Sequence, residues 1–600
     1  MSINNVNRRQ FVTGALASSA LLSLNTSASA PNKKNIPPQT TLQGNSTQLS
    51  IGYQTVNFTG AERIATTVNN SFPAPILRWK EGETVTINVK NNLAVDSSIH
   101  WHGIILPTGM DGVPGLSFKG IQPGNTFQYQ FKLQQNGTYW YHSHSGFQEQ
   151  TGLFGAIIID PKEPEPFAYD RDYVVMLSDW SDESPKSIYA NLKKEGHIYN
   201  THERTVADLY RDIKNKGIRT TFNDRVMWND MRMSDRDISD VTGAAYTFLM
   251  NGKNPADGWT GLFKKGEKIR LRFINAAAMT FFDVGIPGLK MKVIASDGQY
   301  LEPVSVDDFR IGVAETYDVI VEPESDTAYT VFAQAIDRSG YARGTLTPDP
   351  SVQAIIPPMD PRPILTHRDM GMAHHQHSTH SQHSTQTSES KMMMDHSHHH
   401  HNHHKMHQPK KLSMGAGKAG FGSSHKIIHH KTELGPHVDM RAESPQYQLD
   451  DPGIGLRDHQ KLYDRRVLTY ADLRNLYPTP DPREPSREIQ LHLTGNMHRY
   501  LWSFNGIPYS KAEPIILKQG ERVRVTLVND TMMNHPIHLH GLWSDLETGN
   551  SENIPRKHTI VVQPGAKISY LVSADTIGRW AYHCHLMYHM IGMFREVRVV

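Results

Sequence analysis

Apolar and polar residues alternate in the same frame along three stretches of the chain. Residues 82–91 read "GETVTINVKN", residues 266–275 "GEKIRLRFIN" and residues 520–529 "GERVRVTLVN". Successive side chains of a strand leave opposite faces of the pleat, so alternation at period two predicts a half-buried β-strand. A Gly turn opens each strand and an Asn turn closes it. Three strands with the same bounding residues predict three copies of one β domain. Frequent short strands, abundant turn residues and few long helical periods make each copy an all-β sandwich or barrel.

Copies one and three share more than this strand. "IHWHG" (99–103) pairs with "IHLHG" (537–541), "GTYWYHSH" (137–144) with "GRWAYHCH" (578–585), and "QPG" recurs at 122–124 and 563–565. Copy two continues after Asn275 as "AAAMTFFDVGIPG", without paired histidines, and reads as a spacer. Between copies two and three, residues 367–440 carry about half of the histidines and almost no large apolar residues other than Met. Such a segment cannot bury enough surface to offset its ordering entropy, so disorder is expected. The layout that follows is a leader at 1–30, β domains at 45–165 and 166–350, a Met/His-rich insert at 351–450 and a third β domain at 451–600.

Length and charge narrow the classes. At 600 residues the chain is too long for a single core. A formal charge of +2 gives no reason to expect nucleic acid as a partner. Arg8 and Arg9 precede "ALASSALLSL", too short to span a bilayer, and "ASA" (28–30) has the form of a cleavage site, followed by Pro31. The pattern resembles a twin-arginine signal, which predicts export to the periplasm. No later segment reaches membrane-spanning length, so no membrane insertion is expected.

Four H-x-H units lie outside the insert: His100/His102, His142/His144, His538/His540 and His583/His585. In a strand, positions i and i+2 share a face, so each unit offers two imidazoles side by side. Eight imidazoles at one interface are a costly polar cluster unless they bind something, and imidazole suits copper, zinc, iron and nickel. The single cysteine, Cys584, stands between His583 and His585 and therefore points to the opposite face, into a different site. The nitrogens available there are His589 and His535. With a thioether from "MIGM" they make the ligand set of a blue-copper centre, whereas structural zinc would call for more cysteines.

At these residues the sequence resembles the multicopper oxidase family. "HWHG", "WYHSH", "HPIHLHG" and "HCHLMYH" match its four copper motifs, and the resemblance spans nearly the whole chain after the leader. The leader, the ending "GMFREVRV" and the Met/His-rich insert place it nearest the periplasmic copper-resistance branch. The resemblance implies three cupredoxin-like Greek-key domains and four copper ions. It implies that His535, Cys584 and His589 hold a type 1 copper, His100 and His538 a type 2 copper, and His102, His142, His144, His540, His583 and His585 a type 3 pair. The family's axial methionine lies ten residues after the cysteine. Here Met593 lies nine after Cys584 and position 594 is Phe, so either the loop is one residue tighter and Met593 is still the axial ligand, or the axial position is altered; Met593 is the expected ligand, ahead of Met590. Asp111 in "GMDGVPG" falls where the family has an acidic residue that helps protons reach oxygen; the alternative is a solvated turn aspartate.

The activity implied is one-electron oxidation of a donor at the type 1 copper, coupled to reduction of dioxygen to water. Thioethers select Cu(I) and imidazoles can take Cu(II), so Met370, Met372, Met392, Met393, Met394, His396 and Met406 are candidates for binding substrate copper, against the plainer reading of a solvated linker. "MWNDMRMSD", with Met227, Met231 and Met233, is a second candidate patch for which core packing is the favoured reading. Expected partners are dioxygen, Cu(I) or small reducing substrates, and other periplasmic copper-handling proteins. The competing functions are a laccase-like phenol oxidase and a copper-sequestering protein without turnover.

Overall fold

The computed structural model describes residues 39–371 and 414–600. The leader at 1–30 and the expected copper-binding residues Met372, Met392, Met393, Met394, His396 and Met406 lie outside the described residues. Among those described, no helix is long and apolar enough to cross a membrane.

The three alternating stretches form strands Thr84–Asn91, Ile269–Asn275 and Arg522–Asp530. Each has a parallel neighbour on one side (Ser46–Val56, Arg171–Trp180 and Arg487–Asn496) and an antiparallel one on the other (Thr126–Lys132, Thr316–Val321 and Ala566–Ser573). The chain builds three cupredoxin-like units, each with two sheets, of four and five, six and five, and seven and five strands. The closing Asn has the same task in each. The amide groups of Asn91, Asn275 and Asn529 each donate to two backbone carbonyls across the turn, and each Oδ1 accepts from the N–H two residues on.

Only the first copy is half-buried by alternation; the second and third are buried on both faces. Their outward arginines are enclosed by carboxylates: Arg270 and Arg272 by Asp318, Glu165 and Asp172, and Arg522 and Arg524 by Asp545 and Glu547. A polar face is thus buried without unpaired charge, which periodicity cannot distinguish from a solvated one.

The middle unit carries helices the periodicity did not predict, at Pro185–Lys194, Val206–Lys216 and Ile218–Asp230. Ser184 caps the first, and a Thr205/Asp208 capping box opens the second. Met231 and Met233, at the end of this region, are buried, while Met227 is exposed. The Gly/Ser/Lys stretch, grouped with the insert on composition, packs on the third unit. Gln446–Tyr447 adds a parallel strand beside Ala566–Lys567, and Arg524 donates to the carbonyls of Gly417 and Lys418. Met370 is fully buried.

Candidate metal centres

In the last sheet, strands His535–Leu539 and Gly578–Cys584 pair antiparallel, with Ile537 opposite Cys584 and His538 opposite His583. In the first unit His100 lies opposite His142. All four H-x-H units sit at or just past strand ends. Gly103 and Gly541, which follow the second histidine of "HWHG" and "HLHG", have φ of +79° and +65°. A Cβ at Gly541 would lie 2.3 Å from the Trp580 ring, so the tight turn admits only glycine.

Cys584 leaves its strand on the face away from His583 and His585 and meets His535 and His589. The sulfur lies 3.5 Å from His535 Nδ1 and 3.9 Å from His589 Nδ1, and the two nitrogens are 3.4 Å apart. The point equidistant from these three atoms is about 2.1 Å from each, the length of a metal–imidazole bond. Both rings are turned by partners on their far nitrogens: Thr531 Oγ1 at 2.7 Å from His535 Nε2, and Asp240 Oδ2 at 2.6 Å from His589 Nε2. Burial pushes the Cys584 thiol up and holds His535 well below the ordinary histidine range. Met593 is fully buried, and its carbonyl accepts from the Cys584 N–H at 3.1 Å. That bond extends the pairing of His583 with Phe594 by one residue, so Met593 and Cys584 leave the sheet on one face. The Trp502 ring stacks on His589 at 3.7 Å.

The eight other imidazoles converge between the first and third units. The His102 and His538 rings stack at 3.8 Å, and those of His100 and His540 at 3.9 Å. Metal-sized groupings result, among them His100 with His102 and His538, His102 with His142 and His585, and His144 with His540 and His583. Five rings turn Nδ1 outward to an oxygen. His100 meets the Asp111 carbonyl at 2.8 Å, His142 meets Glu149 Oε2 at 2.7 Å, and His538 meets the His558 carbonyl at 2.5 Å. His540 meets Asp111 Oδ2 at 2.9 Å, and His583 the Cys584 carbonyl at 3.0 Å. With the proton fixed on Nδ1, each Nε2 presents a lone pair inward. The Nε2 atoms of His100, His142 and His538 are buried there without a hydrogen-bond partner. Burial holds His102, His144, His538, His540 and His585 well below the ordinary range and His583 down to about 3, so protons do not fill the space at neutral pH. Inward lone pairs with no donor fit metal cations.

Asp111 is buried and touches both His100 and His540, so it is no solvated turn residue. Three further residues escaped the sequence reading. Glu149 holds His142, Asp240 holds His589, and His558 lies 3.2 Å from His102 Nε2. None belongs to a spaced motif, and Asp240 comes from the middle unit, taken as a spacer.

Models described as multicopper oxidase match residues 50–164, 171–351 and 482–600. The chain is 54% identical to copper resistance protein A of Escherichia coli and 56% identical to copper resistance protein A of Pseudomonas syringae pv. tomato, with 99% of each chain covered in both comparisons. Among solved structures, a laccase from Botrytis aclada matches at TM-score 0.59 and 21% identity, over 94% of this chain and 88% of that one. A multi-copper oxidase from Pseudomonas thermotolerans matches at TM-score 0.55 and 17% identity, over 94% and 100%.

Proposed function

The chain belongs to the multicopper oxidase family and is an oxidoreductase, and from that premise we propose that it serves copper resistance in the periplasm by oxidising Cu(I) to Cu(II) with dioxygen. The relatives named copper resistance protein A support the role, and the Arg8–Arg9 leader supports the location. We assign His535, Cys584, His589 and Met593 to a type 1 copper, His100 and His538 to a type 2 copper, and His102, His142, His144, His540, His583 and His585 to a type 3 pair, four ions in all. The single observation that carries this is the separation of the two donor sets by one strand: Cys584 faces His535 and His589 while its neighbours face the imidazole cluster.

Bound copper supplies one-electron oxidation of the donor at the type 1 position and reduction of dioxygen to water at the cluster. The chain's own residues do the rest. Asp240 fixes the His589 ring and presents a buried carboxylate, whose Oδ1 has no partner, beside the place where electrons enter. Cys584 is bonded through the backbone to His583 and His585, which gives the shortest route between the sites. Asp111 and Glu149 hold Nδ1 of His540 and His142 and are placed to carry protons toward oxygen. Trp502 covers the face of His589 and keeps water from the ring. The Met/His-rich insert is proposed as a copper collector.

Phenol oxidation is a second reading with its own observation. A cavity of about 520 Å³ lined by Tyr189, Tyr500, Trp502, Pro508, Tyr588 and Ile591 opens beside the ring that covers His589. Flat aromatic walls suit an aromatic donor. Oxygen uptake by copper-loaded protein, with Cu(I) or with a phenol as sole donor, tests both. Faster uptake with Cu(I) is expected, a preference for the phenol reverses the assignment, and no uptake with either leaves only copper sequestration.

A further inference from the structure

Outside both proposed copper sites, two side chains of the insert and two of the third unit meet in a further cluster. His429 and Glu433 come from the return segment of the insert, and Glu433 ends a short turn of 3-10 helix, Lys431–Glu433. His492 comes from strand Arg487–Asn496 and Asp530 from the end of Arg522–Asp530. His429 Nδ1 lies 3.0 Å from Glu433 Oε2 and 3.5 Å from Asp530 Oδ2. His492 Nδ1 lies 2.7 Å from the same Asp530 oxygen and 3.4 Å from the same Glu433 oxygen. Four donors at bond lengths of about 2.0 Å around one ion stand about 3.3 Å apart in a tetrahedron, close to these spacings.

The surroundings decide what the four atoms face. Both imidazoles have an oxygen acceptor on the other nitrogen: the Ala442 carbonyl at 3.3 Å from His429 Nε2, and Gln490 Oε1 at 3.3 Å from His492 Nε2. With Nε2 protonated, each Nδ1 faces the carboxylates, and positive charge must stand between them, carried by a cation or by a second proton on each ring. Glu433, His492 and Asp530 have fully buried side chains, and Glu433 Oε1 has no hydrogen-bond partner. Among the described residues, neither carboxylate meets a lysine or arginine. Two neutral imidazoles and two carboxylates balance one divalent cation, as two imidazoliums would balance the carboxylates without it.

We propose that His429, Glu433, His492 and Asp530 form a further metal site for a borderline divalent cation, Cu(II) ahead of Zn(II), which staples the return segment of the insert to the third unit. Two nitrogen and two carboxylate donors suit these ions, and with no thiolate or thioether the site does not suit Cu(I). Its position ties it to the neighbouring centre: Asp530 precedes Thr531, whose hydroxyl lies 2.7 Å from His535 Nε2.

The test uses the full chain loaded with Cu(II) or Zn(II), freed of loosely held metal on a chelating column and crystallised. Anomalous difference maps at each metal's edge are expected to show a peak enclosed by the four donor atoms. Metal analysis should find one equivalent fewer in Glu433→Gln and in His429→Gln than in the unaltered chain, with the blue absorption retained as the check on folding. His429 is the partly exposed member, so its replacement guards against a variant that fails to fold. The absence of a peak in both maps, or variants that retain the full metal count, would leave an imidazolium–carboxylate network and overturn the proposal.

Discussion

Replacing Asp240 by Asn tests how the middle unit controls the site in the third. Asp240 Oδ2 lies 2.6 Å from His589 Nε2 and also accepts from the Tyr500 hydroxyl at 3.0 Å, with the carboxylate fully buried. Asn keeps an acceptor for the ring and removes the negative charge. One hydrogen bond, one imidazole and one coordinate bond place that charge about 6 Å from the point enclosed by Cys584, His535 and His589. At an effective dielectric constant of about 20, a unit charge at this distance favours the doubly charged ion over the singly charged one by close to 3 kcal/mol. For a one-electron couple that is ~120 mV. Asp240→Asn should therefore raise the potential of the blue site by roughly this amount, read by redox titration of the blue band in the copper-loaded variant. An unchanged or lowered potential, with the blue spectrum intact, would refute the claim that this carboxylate sets the electronics of His589.

Met593→Leu should also raise the potential and shift the blue spectrum; an unaltered spectrum would remove Met593 from the ligand set. Glu149→Gln should slow turnover at saturating donor while reduction of the blue band by donor, followed without oxygen, keeps its rate. Asn529→Ala removes two hydrogen bonds to buried carbonyls and the acceptor for the Thr531 N–H, and should cost about 2–4 kcal/mol in denaturant unfolding. Metal-free protein should lose stability on acidification. His583 and His558 are pushed down to about 3 and about 4 in the folded chain, so the unfolded state binds more protons below pH ~6.5. Each contributes about 1.4 kcal/mol of loss per pH unit between its unfolded and folded values, so the thermal midpoint of the metal-free protein should fall steadily from pH 6.5 to 4.

The candidate ligands grouped by local spacing were legible in the chain. The three G-E-…-N strands, the H-x-H pairs and the opposed face of Cys584 all follow from the period of two, and the structure places them as that period requires. What spacing could not carry are partners set by tertiary contact. Asp240 reaches His589 across 349 positions, and Glu149 reaches His142 from a loop just beyond its strand. Burial of Arg270, Arg272, Arg522 and Arg524 was equally hidden, because a strand with arginines on its outer face reads as solvated until the carboxylates opposite are known. The helices at 185–230 did leave a signal, in the Ser184–Pro185 start and the Thr205/Asp208 capping box, but the β periodicity on either side outweighed it.

The central claim is that one strand joins a site that takes single electrons to a cluster that delivers them to dioxygen. Its most direct test is the stoichiometry of a closed reaction in which Cu(I) is the only donor and the copper-loaded protein the only catalyst. The account predicts four Cu(I) oxidised per dioxygen consumed and no hydrogen peroxide. A ratio of two with peroxide as product would contradict it, because the imidazole cluster would then not be completing the reduction.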